Sequence, residues 1–305
     1  MPKTPASAPR QLRALQGVRV VSLALNLPGP AALMRCCAMG AKCTKIEPPP
    51  PAGSVAGTTA DPMGVYNRSA YDAMHQGVRV RVADLKLDAG QKLLHRELAK
   101  ADVLLTSFRP SALSKLGLKW RDLHRRHPQL SLVEIVGAPG TRAEEPGHDL
   151  TYMAESGLVS GTELPPTLYA DMGGSLMASE AVLQACLLQR AKGQGVRLEI
   201  ALSEAANYLA LPRNWGLTTA GAAVGGGHAG YRVYPCKDGR VALAALEPHF
   251  AKALGQQAGL AKSNILAMFQ PESHTAIARW CAGLTRTELE TLGTTHDIPL
   301  YTLPA

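Results

Sequence analysis

Six short strand-like runs, some continuously apolar and some alternating, most of them followed by a stretch with helical spacing, limit what the first two thirds of this chain can fold into. GVRVVSLAL, from Gly17 to Leu25, is continuously apolar rather than alternating, as in a strand covered on both faces. The turn NLPGP follows it, and Pro30 suits the first turn of a helix AALMRCCAM that stops at Gly40. KCTKIE reads as the second strand and VRVRVADL, Val78 to Leu85, as the third. Asp88 opens the helix AGQKLLHRELAKA, DVLLTSF is another buried strand, and SALSKLGL and WRDLHRRH are short helical pieces. LSLVEIVG and VRLEIAL supply the last two strands, the second after an apolar helix from Ser175 to Ala191. Strands that alternate with helices over short connections pair in parallel, so the pattern predicts a doubly wound α/β sheet. The first turn lacks G-x-G-x-x-G, so nothing marks a dinucleotide site. Residues 48–66, beginning PPPPAGS, show no periodicity and read as a loop.

An Ala/Leu-rich helix around Glu204 to Leu211 precedes a change of composition at TTAGAAVGGGHAG, which reads as a linker into a smaller unit. There YRVYPC and RVALAAL flank Lys237, Asp238 and Gly239 as a hairpin, Phe250 to about Leu292 is helical, and the chain stops at TLPA. The expected organisation is a basic extension over residues 1–16, a large domain over 17–212, and a linker with a smaller α+β domain over 213–305.

Composition narrows the function classes. With 46% hydrophobic and 18% charged residues the chain is an ordinary globular protein, and no apolar run approaches the roughly 20 residues of a membrane helix. Its six cysteines lack metal-ligand spacing, which points to reduced thiols in the cytoplasm. The opening MPKTPASAPRQLRALQ has no apolar core and is no secretory signal, although it is acid-free as a transit peptide would be. A formal charge of +8 suits an anionic partner, either nucleic acid or a polyphosphate ligand. Aromatics are only 5% and no basic stripe appears, so nucleic acid is the weaker option.

The chemistry concentrates in PGHDLTYMAESGLVSGTELPPTLYADMGGS, Pro146 to Ser175. Asp149 is a candidate N-cap of the short helix LTYMAES, and Asp171 stands before the apolar helix that starts at Ser175. Both carboxylates read as caps first. A carboxylate at a helix start is held as the anion, so Asp171 is also a candidate base, and His148 is a candidate acid at the same pH. Two such groups on opposite sides of one carbon can remove a proton from one face and return it to the other, provided the carbon is acidified. A thioester supplies that acidity when backbone donors, such as those of the turn at Asp149, hold its carbonyl oxygen. Glu247, where the second hairpin strand ends, is either a surface acid or an orienting partner for the imidazole. Arg109 follows the strand DVLLTSF at the end where open α/β sheets take ligands, and with Arg79 and Lys115 it is a candidate phosphate binder. GGGH at 225–228 reads as linker, since no helix with Lys-Ser/Thr follows.

Five segments in order, LPGPAALMRCCAMGAKCTKIEPP, ADVLLTSFRPSALSKLGL, PGHDLTYMAESGLVSG, ADMGGSLMASEAVLQACLLQRAKGQG and GYRVYPCKDGRVALAALEPHF, resemble the class III coenzyme A transferase family of the CaiB/BaiF type. The resemblance runs from about Leu15 to the end of the chain and is strongest to the alpha-methylacyl-CoA racemase branch, which carries a histidine in GHD and a glutamate in an xEPxF motif, here His148 and Glu247. It implies a Rossmann-like large domain that binds coenzyme A, an interlocked homodimer in which the partner's smaller domain brings Glu247 to the site, and Asp171 as acid/base in a racemase or as acyl anhydride in a transferase. It also implies thioester contacts at Asp149 and Tyr152, and nucleotide contacts from Arg79, Phe108, Arg109 and Lys115. No cofactor is implied beyond the coenzyme A of the thioester substrate, and no metal.

The chain departs from that pattern at several points. Pro48 stands where the family usually has a basic residue, Ser111 where it has glycine, and MHQGVRVRVADLK replaces an arginine-rich stretch. The loop before GHD is shortened to GAPGTRAEE, and His148 and Asp171 are 23 positions apart, closer than is usual for racemases. Relatives continue past the length at which this chain stops, which implies another way of closing the fold or a full-length family partner. The expected activity is inversion of the α-carbon of a 2-methyl-branched or similar acyl-CoA. The alternatives are coenzyme A transfer through an Asp171 anhydride and a non-catalytic acyl-CoA-binding relative.

Overall fold

The computed structural model of the protein describes residues 13–55 and 57–305, so most of the basic extension over residues 1–16 lies outside the described residues. The chain divides into two compact units between Ala210 and Leu211.

In the first unit the strands are β1 (Arg19–Ser22), β2 (Lys42–Glu47), β3 (Arg79–Val82), β4 (Val103–Thr106), β5 (Ser131–Val136) and β6 (Arg197–Ala201). They form one sheet of order β3-β2-β1-β4-β5-β6, every pair parallel. This is the expected doubly wound sheet, and the order reverses direction beside β1. Its helices are α1 (Pro28–Ala38), α2 (Pro62–Tyr66), α3 (Arg68–Met74), α4 (Asp88–Leu98), α5 (Pro110–Lys115), α6 (Trp120–Arg126), α7 (Asp149–Glu155), α8 (Tyr169–Lys192) and α9 (Leu202–Leu209).

Successive strand residues point to opposite faces, which splits the core in two. Val20, Val103, Leu105 and Val133 pack with Leu33 of α1 and Ala178, Val182 and Ala185 of α8. Val21, Leu104 and Leu132 pack with Leu94 of α4, Leu113 of α5 and Leu123 of α6. The continuous apolar runs are therefore buried on both sides. The first run is shorter as a strand than its sequence suggests, because the ladder ends at Ser22 and Leu23 to Leu25 leave it toward the turn.

One short helix, α2, replaces the end of what reads as loop, and a second, α3, follows it without a sequence signal. Asp61 caps α2 by accepting from Met63 N–H at 2.9 Å, and Asn67 caps α3 by accepting from Ala70 N–H at 3.0 Å. Side-chain caps rather than apolar periodicity hold both.

The second unit opens with α10 (Leu211–Asn214) and contains β7 (Tyr231–Cys236), β8 (Gly239–Ala244), α11 (Pro248–Gln257), α12 (Pro271–Ala282), α13 (Arg286–Thr295) and β9 (Leu300–Pro304). The hairpin β7–β8 forms as expected, and β9 adds a third antiparallel strand to β8. The segment around TLPA, which gives no sequence signal, is thus a strand. Tyr234, Val241 and Leu243 pack with Leu254, Ile277 and Leu289 in a core of their own. Among the described residues no helix is long and apolar enough to cross a membrane.

Candidate active site

A pocket of about 310 Å³ opens at the carboxyl end of the parallel sheet, where the order reverses. Asn26 after β1, Phe108 and Arg109 after β4, and His148, Tyr152 and Asp171 from the following segments all line it. Open α/β sheets take their ligands at this position, because diverging connections leave a crevice there.

The GHD segment enters the pocket as a helix start. His148, not Asp149, is the N-cap residue of α7, with extended backbone. The Thr151 hydroxyl accepts its N–H at 3.1 Å and donates to its carbonyl at 2.7 Å, fixing the peptide that carries the imidazole. Asp149 is the first residue of the helix and is buried, with its carboxylate turned away from α7. It accepts the N–H of Asp171 at 2.9 Å and so caps the first turn of α8, whose own N-cap position is Leu168 and contributes no side-chain bond. The expectation of Asp149 as cap of its own helix is corrected by this longer reach.

Tyr152 lies one turn into α7 with its hydroxyl against two glycines. A methyl group on Gly147 would stand 2.4 Å from Tyr152 Oη, and one on Gly137 would stand 2.1 Å from it. The phenol ring is buried, so yielding would push it toward the pocket that it lines. Gly147→Ala is therefore expected to displace the ring and the adjoining His148 peptide, costing roughly 1–3 kcal/mol. Urea denaturation followed by circular dichroism checks this, and an unchanged midpoint would show that the ring can move aside.

Asp171 belongs to the first turn of α8, which starts at Tyr169 rather than Ser175. The glycines after it permit close helix packing: a methyl on Gly174 would stand 2.2 Å from Leu202 of α9, and one on Gly173 would stand 3.4 Å from Ala205. Removal from water raises the Asp171 carboxyl to about 7, and the charge of Asp149 adds to the effect. Burial outweighs the helix start, so the expected permanent anion becomes a group that takes up and releases its proton near neutrality.

The folded chain holds this proton more tightly than the unfolded chain, where an aspartate titrates near 3.9. Stability therefore falls as pH rises between about 4 and 7. Asp171→Asn escapes that loss. Melting the two proteins side by side should show no difference near pH 4 and a growing advantage for the variant up to pH 8.

The structure does not bring every sequence candidate to the pocket. Arg79 is the first residue of β3, at the amino side of the sheet, and pairs with Glu97 at 2.7 Å. Its guanidinium serves a strand–helix ion pair on the side away from the pocket. Lys115 ends α5 and is exposed outside the pocket lining. Glu247 is exposed at the N-cap position of α11, in the second unit. Arg109 lines the pocket and makes no ion pair among the described residues.

Sequence reasoning missed Asn26 and what lies behind it. Asn26 has a positive φ of 64°, and its N–H donates to Asp61 at 3.1 Å. Asp61 and Glu47 both pair with the fully buried Lys45. The third acceptor of the ammonium is His75 Nε2 at 2.9 Å, since His75 Nδ1 lies 2.6 Å from the Tyr71 carbonyl and must carry the ring proton. Burial lowers the His75 pKa, and Lys45 lowers it further, which favours this neutral form. Glu47, Asp61 and His75 have ligand atoms within 4.8 Å of one another, a spacing that also suits a metal, but their free valences converge on Lys45. An Asn two residues before Pro-Gly-Pro, at a strand end, was the one signal available for Asn26.

Comparison with known proteins agrees with this construction. The description CoA-transferase family III matches residues 15–303. The chain is 31% identical to the cinnamoyl-CoA:phenyllactate CoA-transferase of Clostridium sporogenes over 63% of its own length and 50% of that protein. It is 30% identical to the alpha-methylacyl-CoA racemase of Homo sapiens over 81% of its length and 65% of that protein. The chain thus spans between half and two thirds of these relatives. A CaiB/BaiF family protein from Brucella suis shares the fold with a TM-score of 0.75 at 21% identity, over 97% of this chain and 85% of that one. A match over nearly all of its length, together with the shared fold, means that the chain belongs to CoA-transferase family III.

Proposed function

We propose that the protein inverts the α-carbon of a 2-methyl-branched or related acyl-CoA thioester. The observation that carries the reading is that an imidazole and a carboxyl poised near neutrality, His148 and Asp171, line one pocket. In one direction Asp171 removes the α-proton as a carboxylate, the electron pair passes to the thioester oxygen, and the imidazolium of His148 returns a proton to the opposite face. In the other direction the roles exchange. A carboxyl at about 7 can serve both directions near pH 7, which a fully ionised aspartate cannot do efficiently. The N–H of Asp149 at the start of α7 holds the enolate oxygen in this reading. Arg109 and Phe108 at the pocket rim hold the nucleotide part, with Arg79 and Lys115 outside that role.

The active form is a homodimer in which Glu247 reaches His148 from the second copy. An exposed apolar stripe on α8, Tyr169, Met172, Leu176 and Leu187, supports a partner surface. Incubation of single enantiomers of 2-methylacyl-CoA thioesters in heavy water tests the reading, with light scattering to give the subunit number. Folded protein that neither exchanges the α-proton nor inverts the centre of any such thioester would end it.

Coenzyme A transfer is the second reading, favoured by a transferase relative as similar as the racemase one. Asp171 would then form an acyl anhydride, and hydroxylamine trapping in the presence of an acyl-CoA donor would detect it.

A further inference from the structure

Asn26 contributes to the pocket wall in the left-handed conformation, which asparagine tolerates better than most residues but still at a cost relative to glycine, so a bond to its amide helps fix the turn. The only side chain bonded to its amide among the described residues is Asp61, fully buried beneath the turn. We propose that Asp61 is a positioning residue for the pocket: through the Asn26 amide it holds the turn between β1 and α1 left-handed, and so sets the wall that faces His148 and Asp171.

The two oxygens of Asp61 have divided tasks. Oδ1 accepts from Asn26 N–H at 3.1 Å and from Met63 N–H at 2.9 Å. Oδ2 pairs with Lys45. The ammonium has three protons and three acceptors, Asp61, Glu47 and His75, and Glu47 in turn accepts from the Tyr71 hydroxyl at 2.9 Å and from Thr59. The carboxylate is thus clamped from behind by a satisfied buried network, and its front oxygen is a fixed point for the turn. On the other side Leu25 N–H donates to Ser107 Oγ at 3.2 Å, tying the same turn to the end of β4. The wall is pinned at both ends, and only the Asp61 end is charged.

An amide cannot replace this carboxylate. In Asp61→Asn the oxygen must face either Lys45 or the two backbone N–H groups, and the NH₂ group then opposes donors on the remaining side. Either arrangement loosens the Asn26 turn. The inference concerns the site of the proposed isomerase, and its first readout is independent of catalysis. Hydrogen–deuterium exchange of the full chain is expected to speed up at least about tenfold in the peptide containing Leu25 to Leu27 of Asp61→Asn, while α8 stays protected. On an accepted acyl-CoA, kcat/KM is expected to fall by about tenfold, mostly through KM. Asn26→Gly adopts the left-handed turn without steric cost, so the double variant should regain roughly threefold or more in kcat/KM while its melting temperature stays at that of Asp61→Asn.

A purely structural role would lower the melting temperature and the protection of α2 and leave both the Asn26 peptide and kcat/KM unchanged. That result overturns the inference, as does an Asn26→Gly background that rescues nothing. If the wild type turns over no acyl-CoA, the proposed function fails, and the exchange rate at Asn26 still decides the positioning role.

Discussion

Asp171→Asn is expected to lower the rate of inversion at the α-carbon by about 10²–10⁴-fold, the usual contribution of a positioned proton carrier. The substitution keeps the shape of the side chain and the N–H that Asp149 accepts, so the fold and the pocket remain. The amide cannot take a proton from carbon. A two-base site predicts more than a loss: the variant should still exchange the α-proton of the enantiomer that His148 deprotonates, without inverting it. His148→Gln should show the mirror-image pattern. Nuclear magnetic resonance of each enantiomer in heavy water measures both quantities. Equal loss of exchange for both enantiomers in both variants would rule out opposed proton carriers, and retention of acyl transfer in His148→Gln would move the assignment to coenzyme A transfer.

Lys45→Ala is expected to be the most destabilising single change in the first unit, by roughly 3–5 kcal/mol. Lys45 is fully buried, and its removal strands two buried carboxylates, Glu47 and Asp61, with the neutral His75 as their neighbour. Among the described residues neither carboxylate forms an ion pair with another cation: the remaining bonds of Glu47 and Asp61 come from hydroxyls and backbone N–H groups. Protonation relieves part of the penalty, so the loss should shrink as pH falls toward the ordinary carboxylate range. Urea denaturation at pH 5 and pH 8 reads this directly. A loss below about 1 kcal/mol at pH 8 would mean that water enters the network and that burial is not its defining property.

The largely exposed edge strand β3 shows by its alternation, whereas the centre of the sheet was legible because its strands are covered on both faces. DVLLTSF and LSLVEIVG are apolar without alternation for that reason, and β4 and β5 are buried at every position. The helix carrying Asp171 was read six residues short. Gly173 and Gly174 look like a turn in sequence but belong to α8, where Gly174 lies so close to Leu202 of α9 that a side chain would clash. The same holds for Asp149, whose capping partner lies on another helix and has no signature within its own segment. Residues 62–74 lack an apolar stripe, so their two helices, which depend on Asp61, Asn67 and the Lys45 network, escaped notice. Burial, likewise invisible in local sequence, reversed the expected ionisation of Asp171. Arg79 was drawn to the wrong end of the sheet because a basic residue on a strand gives no sign of direction relative to the crevice.

The bond from Asp149 to the Asp171 amide ties the start of α8 directly to the start of α7, beside the chain that joins them. Residues 156–168 join the two ends that this bond fastens; Leu158 and Val159 pack against the core, so insertions or deletions are expected to be tolerated in the exposed stretch 160–164 rather than throughout. Length variation in that stretch would leave the pocket lining untouched, because the short reach of an aspartate at 149, rather than a glutamate, keeps the start of α8 at a constant span from the GHD turn.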